Sequence, residues 1–436
     1  DWSSALSEFN RSFFYPSVSA SFVFSDLISR NKDLPSWFSY GKLRASYSSV
    51  GNDMFPYQLF NTYTISKDPN GVTNAGTNSI YFSDSVKNEL IKNVELGTEL
   101  RFLKNRLGID FTYYKSNATN QLIRLPLDPM SGYSFRMINA GNIQNQGIEL
   151  VINGQILQSS SGLNWSSTLN FSRNRTKIVD LADHLGVSRY QIGGYDALKI
   201  MAITGSYYGD IYGSRFKRVT DPNSPYYGQL IVRSDNGLPQ VGETDAKLGN
   251  QQADMLLGWS NQFHYKNFSF SFLIDGRFGG EIFSATNYFM QTAGTAAATV
   301  VNGERAPFIV DGVTEVVVDG VVVGYEKNTI AANPQQYWGS LGGGNLGIHE
   351  RNVYDATNIR LRNVQLNYRL PNTWANKIGM QGAQIGVSCN NVWMIKSHMN
   401  GVDPESVFAL GTNAVGFENM APPTSRTFFI NLSLNF

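Results

Sequence analysis

The sequence predicts an all-β fold, a transmembrane antiparallel β-barrel, on three observations. Apolar residues recur at every second position in short runs from one end of the chain to the other, the period of a strand with one apolar face. Charged residues are only 16% of the 436, against 13% aromatics, whereas about a quarter charged is usual for a soluble domain. Short turns alternate with long polar or glycine-rich stretches, as at the two rims of an outer-membrane barrel. Apolar runs stay far below the ~20 residues of a membrane-spanning helix, so strands are left as the crossing element.

Taken in order, Val18, Ala20, Phe22 and Phe24 alternate with serines, and Leu43, Ala45 and Tyr47 alternate with Lys42, Arg44 and Ser46. Val94, Leu96, Leu100 and Phe102 alternate with Glu95, Gly97, Glu99 and Arg101; Leu107, Ile109, Phe111 and Tyr113 alternate with Asp110, Thr112 and Tyr114. Next come runs on Ile148, Leu150 and Ile152, on Trp165, Leu169 and Phe171, and on Leu257, Trp259, Phe263 and Tyr265. Phe268, Phe270, Phe272 and Ile274 follow. Ile359 and Leu361 share one parity while Val364, Leu366 and Tyr368 have the other, which predicts a β-bulge near Arg362 and Asn363. Ile385, Val387, Cys389 and Trp393 precede the clearest strand, where Phe428, Ile430, Leu432, Leu434 and Phe436 share one face over a bilayer-crossing length of about 11 residues.

Short connections are expected at 103–106, 157–163 and 266–267, with somewhat longer ones at 26–40 and 370–383. Long loops are expected at 51–92, 116–145, 173–253, 276–355 and 394–425. Trp37, Tyr40, Trp165, Tyr265, Trp374 and Trp393, near strand ends, suit interfacial girdles. Asp311-Gly312 and Asp319-Gly320, set among valines, predict hairpin turns. About eleven strands is an odd count, and single-chain bacterial barrels normally have an even one. Residues 1–436 therefore read as the C-terminal part of a larger barrel.

Lys+Arg 35 against Asp+Glu 34 leaves no basic excess for a nucleic-acid partner. The single cysteine, Cys389, excludes a disulfide framework within the chain. Gly342, Gly344 and Gly347 spell G-x-G-x-x-G, but without the strand-turn-helix setting of a dinucleotide site. Glu95 and Glu99, four residues apart on a strand, stand ~13 Å apart, beyond a glycosidase pair. His349-Glu350 has no second histidine at zinc-protease spacing, and no G-x-S-x-G is present. Neither an enzyme, a cofactor nor a metal site is expected.

Several stretches resemble the SusC-like (RagA-like) TonB-dependent transporters of Bacteroidetes. They include Tyr354 to Val364 running on through Tyr368-Arg369-Leu370-Pro371 to Trp374, Asn391-Val392-Trp393, Gly401-Val402-Asp403-Pro404-Glu405, and Pro423 to Phe436. Tyr15 to Ala20, Leu43 to Asp53, Leu107 to Tyr114, Asn145 to Leu150 and Tyr265 to Ser269 agree in order. The resemblance implies a plugged barrel of about 22 strands in the outer membrane of a Gram-negative cell, with plug and N-terminal domains outside this chain. It also implies import of oligosaccharides or peptides energised by TonB-ExbB-ExbD through the upstream part, with a SusD-like surface lipoprotein as lid. A non-transport scaffold on the same barrel is the alternative. The family's Asp- and Gly-rich calcium-like stretch is not matched between Asp221 and Asp245, and no metal is carried over.

On this reading Glu95, Glu99, Arg101 and Asp110 face the lumen and plug. Loop aromatics Tyr207, Tyr208, Tyr212, Tyr226, Tyr227, Tyr337 and Trp338 are the candidate substrate contacts, since sugars stack and peptide side chains pack on such rings. Phe428 and Phe436 are the signal for the barrel-assembly machinery, and the apolar faces meet outer-membrane lipid.

Overall fold

The computed structural model describes all residues except 31, 58, 161, 301–302, 340–345, 378 and 408–412, together with the side chains of 126, 129 and 375. Eleven long strands dominate: β1 (Ser17–Val23), β2 (Phe38–Asn52), β3 (Glu89–Phe102), β4 (Leu107–Pro126), β5 (Phe135–Leu157), β6 (Leu163–Asp180), β7 (Met255–Tyr265), β8 (Phe268–Phe278), β9 (Asn358–Arg369), β10 (Gly382–Ser397) and β11 (Thr427–Asn435). Each coincides with one alternating run of the sequence. No helix among the described residues is long and apolar enough to cross a membrane.

The chain divides into two compact units. The first is Asp1–Ser159, Asn164–Arg189 and Ile203–Ser206; the second is Ser160–Leu163, Tyr190–Ala202 and Tyr207–Phe436. In the first, β1 to β6 pair with their sequence neighbours, antiparallel throughout. Register puts Leu43, Thr98, Phe111, Leu150 and Phe171 in one cross-strand row, with Ala45, Leu96, Tyr113 and Ile148 in the next row on that face. The opposite face carries Lys42, Glu99, Asp110, Val151 and Asn170. Leu43, Leu96, Phe111 and Tyr113 are exposed to solvent in this chain, which for apolar side chains in an ordered row marks a face that meets something other than water.

The second unit repeats the scheme. Strands β7 to β11 pair in order. One face carries the rows Phe272–Val364–Cys389–Phe428 and Phe270–Leu366–Val387–Ile430, and the other the row Ser271–Gln365–Ser388–Phe429. The bulge falls where parity predicted it: Leu273 pairs Asn363 but Ile274 pairs Leu361, leaving Arg362 as the extra residue. Opposite it, β10 is irregular too, with Asn391 at φ 51°.

Several expectations need correction. Residues 116–145 are mostly not a loop: β4 and β5 stay paired up to Pro126–Phe135, and only the tip turns. Alternation can sit on a polar ribbon that leaves the apolar zone, so polarity alone did not end these strands. Phe24 opens a short helix, Phe24–Ser29, and Asn372–Lys377 forms another. Asp319-Gly320 turns the hairpin between Val313–Val318 and Val321–Lys327, both residues at positive φ. Asp311-Gly312 does not turn a hairpin, because the preceding Phe308–Ile309 pairs with Ala331–Ala332 instead. Gly342 and Gly344 lie outside the described residues; Gly347 adopts φ 63° in a loop.

The long loops of the second unit are themselves folded. Leu198, Ile200, Ile211, Phe283, Ala285, Tyr288, Leu346, Ala414 and Phe417 form a buried core among them. The helix Ala285–Thr292 starts at Ser284, whose hydroxyl accepts from the Asn287 backbone N–H. Beside this N-terminus sits the fully buried Glu418, which accepts from the Ser284 hydroxyl at 2.7 Å and from the Thr286 hydroxyl. A carboxylate placed there is favoured by the helix dipole.

Candidate functional site

The polar face of the first unit gathers three of the four charged residues singled out from the sequence. Arg44 donates to both carboxylate oxygens of Asp110, at 3.0 and 2.5 Å, and to the Thr112 hydroxyl at 2.6 Å. Arg101 donates to Glu99 at 2.7 Å. Glu99, Arg101 and Asp110 line one cavity of about 430 Å3 with Asn153 and the run Ser166–Ser167–Thr168. Glu95 lies two rows further along the same face than Glu99, level with Ser46. Gly97 leaves room for the Arg44 side chain: a Cβ on it would oblige Arg44 to shift. Arg44 was legible as a polar position on β2, but its central place needed the cross-strand register.

The loop aromatics do not converge. Tyr207 and Tyr227 are exposed, at 49% and 63%, while Tyr208 and Tyr212 are half-buried. Burial pushes the Tyr208 hydroxyl pKa up, against a hydrogen bond with Asn413 that lowers it. Tyr226 packs on the core of Val219, Ile231 and Val313. Tyr337 and Trp338 flank the Arg351 guanidinium, which lies 4.3 and 5.3 Å from their ring centres and donates to the Tyr337 carbonyl at 2.7 Å. Desolvation lowers the Arg351 pKa; the aromatic faces attract the cation. Trp338 alone of the seven lines a groove together with Gln291, Thr292 and Arg305. Tyr227 borders a different one, beside Arg215, Lys217 and Arg218.

Two stretches quoted for the family resemblance meet in space. Arg360, in Asn358 to Val364, forms a buried ion pair with Asp403, in Gly401 to Glu405, their side chains 4% and 7% exposed. Asp403 also accepts from the Thr424 hydroxyl and backbone N–H, at 2.5 and 3.0 Å, and from the Glu405 N–H at 3.0 Å. Burial opposes ionisation of Asp403, but these donors outweigh it and hold its pKa well below the usual carboxylate range. Next to it, the bulge residue Arg362 forks between Asp275 of β8, at 2.7 Å, and Glu405, at 2.6 and 2.9 Å. The loop between β10 and β11 is thereby fastened to the wall at both of its ends. The sequence signal for this was the motif itself; the pairing was not readable because 43 residues separate the partners.

Among the described residues, Ser214 and His349 form a serine–histidine contact that invites comparison with a hydrolase. His349 Nδ1 accepts from the Ser214 N–H at 2.9 Å, which puts the ring proton on Nε2, and Nε2 has no hydrogen-bond partner. Both residues are buried, and burial lowers the His349 pKa. The pair joins two loops. Phe428 and Phe436 stand exposed near the two ends of β11.

The family model for the TonB dependent receptor-like β-barrel matches residues 1–272. TonB-dependent receptor P3 of Formosa agariphila is 27% identical over 465 residues, covering all of this chain and 43% of that protein. TonB-dependent receptor SusC of Bacteroides thetaiotaomicron is 22% identical, over 89% of this chain and 35% of its own length. The solved structure of the RagAB peptide transporter superposes with a TM-score of 0.72 at 19% identity, over all of this chain and 45% of that one. The chain thus spans less than half the length of these relatives. It belongs to the TonB-dependent receptor β-barrel family.

Proposed function

We propose that these residues are the C-terminal part of the barrel of an outer-membrane importer, which takes up oligosaccharides or peptides with a SusD-like lipoprotein as lid. The single observation that supports this best is the two-faced wall. In the first unit the ordered apolar rows, such as Leu43–Thr98–Phe111–Leu150–Phe171, suit lipid, and the opposite face, with Glu95, Glu99, Arg101 and Asp110, suits a polar lumen filled by a plug. In the second unit the row Phe270–Leu366–Val387–Ile430 suits lipid in the same way. The folded loop cluster on the second unit offers a surface for a lid. Energy would come from TonB-ExbB-ExbD, acting through chain outside this sequence.

The test uses the full-length protein in its host, with an affinity tag inserted at the exposed Asp319-Gly320 hairpin. A surface lipoprotein should co-purify, and deleting the gene should abolish growth on one polysaccharide or protein source. A tagged protein that purifies alone, in a strain whose deletion mutant grows normally on every source tested, would sink the importer reading.

A further inference from the structure

We propose that the short turns of the wall bind anionic phospholipid head groups in the periplasm-facing leaflet of the outer membrane. Short turns lie on the periplasmic side of an outer-membrane barrel. The proposal rests on the wall crossing that membrane and goes beyond import, since it holds for an importer and for a scaffold alike.

The first unit shows the arrangement at two adjoining turns. Phe102 has the parity of Leu96 and Thr98 and so lies on the apolar face, and Phe38 is paired with it. Phe24 stacks on Phe38 with ring centres 5.9 Å apart, and Trp37 stacks on Phe102 at 6.1 Å. The Phe24 ring lies against Gly41, where a side chain would meet it. These rings form a patch at the end of the apolar face, where aromatic belts mark the boundary between acyl chains and head groups. The Leu103 N–H donates to the Trp37 carbonyl at 2.8 Å, and the Asn105 N–H donates to the Ser39 hydroxyl at 3.2 Å. The turn at 103–106 is thereby fixed beside the patch.

The same two turns carry Arg30, Lys32, Lys104 and Arg106, all exposed. No carboxylate pairs with any of the four among the described residues; Arg106 donates to the Gln155 and Ile156 carbonyls, which leaves its charge in place. The acids of these turns are Asp26 and Asp33 alone. In the second unit the short turns, 266–267 and 370–381, contain Lys266 and Lys377 and neither Asp nor Glu. Tyr265, Phe268 and Trp374 are exposed beside them, and the Lys266 ammonium stands 5.3 Å from the centre of the Tyr265 ring.

The long loops of the first unit have the opposite balance: residues 53–88, 127–134 and 181–188 hold five aspartates against Lys67 and Lys87. Positive charge is thus concentrated at the short turns, next to rings suited to a bilayer boundary. A head group whose phosphate has no compensating amine matches the cations, and its acyl chains match the rings. An acidic protein in the periplasm would match the cations only.

The test uses full-length protein reconstituted in phosphatidylcholine bilayers with a trace of spin-labelled phosphatidylglycerol or spin-labelled phosphatidylcholine. Electron paramagnetic resonance reads the fraction of each label held at the protein. Phosphatidylglycerol should associate about threefold more strongly, and NaCl at about 0.5 M should weaken that preference. The preference should vanish when Arg30→Gln, Lys32→Gln, Lys104→Gln, Lys266→Gln and Lys377→Gln are combined. The pair Lys104→Gln and Lys266→Gln should already lower it by about half, so the result does not hang on the folding of the larger variant. The pair Lys67→Gln and Lys87→Gln should leave it unchanged, and all variants should keep the wild-type heat-modifiable band. Equal association of the two lipids, a preference that survives the turn variants, or one that the loop pair removes as fully would each overturn the proposal. So would competition by inorganic phosphate beyond that of chloride at equal ionic strength, which would make the turns a site for free anions. Loss of a cross-linked periplasmic protein from the turn variants in cells, with no lipid preference, would give the turns to a protein instead.

Discussion

Arg360 and Asp403 form an ion pair inside the second unit, and Thr424 closes it by donating to the same carboxylate that Arg360 holds. Removing one partner strands the other charge in a buried setting, at a cost of about 3–5 kcal/mol. Arg360→Met or Asp403→Leu should therefore expose the loop at 398–426 to protease in the full-length protein. Glu405→Gln should do far less, about 1 kcal/mol or below, since Glu405 is about a third exposed and Arg362 keeps Asp275. Limited proteolysis of the three variants side by side decides it; equal sensitivity of all three would contradict the ranking.

The low pKa of Asp403 sets a pH window. Its stabilising contribution is complete above the unfolded-state pKa of about 3.9 and declines only as the pH falls from there through its depressed folded value. Hydrogen exchange in peptides covering 399–406 should accordingly be as slow at pH 5 as at pH 7, after correction for the intrinsic rate. Loosening in that interval would mean that another group governs the loop.

His349 behaves in the opposite part of the scale. Burial lowers its pKa, so the unfolded chain takes up a proton first, and stability falls as the pH drops below about 6.5. Peptides covering 212–216 and 346–350 should lose protection between pH 7 and pH 5.5, while 399–406 do not. His349→Asn should flatten that dependence. A wild-type profile independent of pH would disprove the assignment.

Cys389 stands in the apolar row Phe272–Val364–Cys389–Phe428. In intact outer membranes of cells making the full-length protein, a membrane-impermeant maleimide should leave it unlabelled and a permeant one should reach it. Fast labelling by the impermeant reagent would put the strand in the wrong phase.

Phe436, 77% exposed next to the end of β11, continues the apolar face of the last strand. Its deletion should lower the folded, heat-modifiable protein in the outer membrane at unchanged synthesis, read by immunoblot of boiled and unboiled samples. Wild-type amounts would remove the assembly role expected of Phe436.

The wall was legible residue by residue because a strand writes its two faces into the sequence with a period of two. The bulge at Arg362 was legible for the same reason, as a break in that period. The loops were not. Their core is assembled from Leu198, Phe283, Leu346 and Phe417, which belong to separate stretches and carry no common period. The charged pairs fell between these cases. Glu99 and Asp110 were recognisable as polar positions, but only cross-strand register brings Arg44 onto Asp110. Clustering of aromatics in sequence did not carry over to space: Tyr226 packs on the core of Val219, Ile231 and Val313, while its neighbour Tyr227 is exposed.

The extra residue at Arg362 also makes β9 a strand with two frames. Upstream of it, odd-numbered residues such as Ile359 and Leu361 share the face that even-numbered Val364 and Leu366 occupy downstream. Losing that one residue would invert the sidedness of whichever half of the strand yields: either Ile359 and Leu361 would exchange places with Asn358 and Arg360, or the downstream half would turn over instead. A single-codon deletion here would thus act on a membrane wall as a frameshift acts on a message, whereas substitution of the same residue would cost its ion pairs with Asp275 and Glu405 and its hydrogen bond to Asn391.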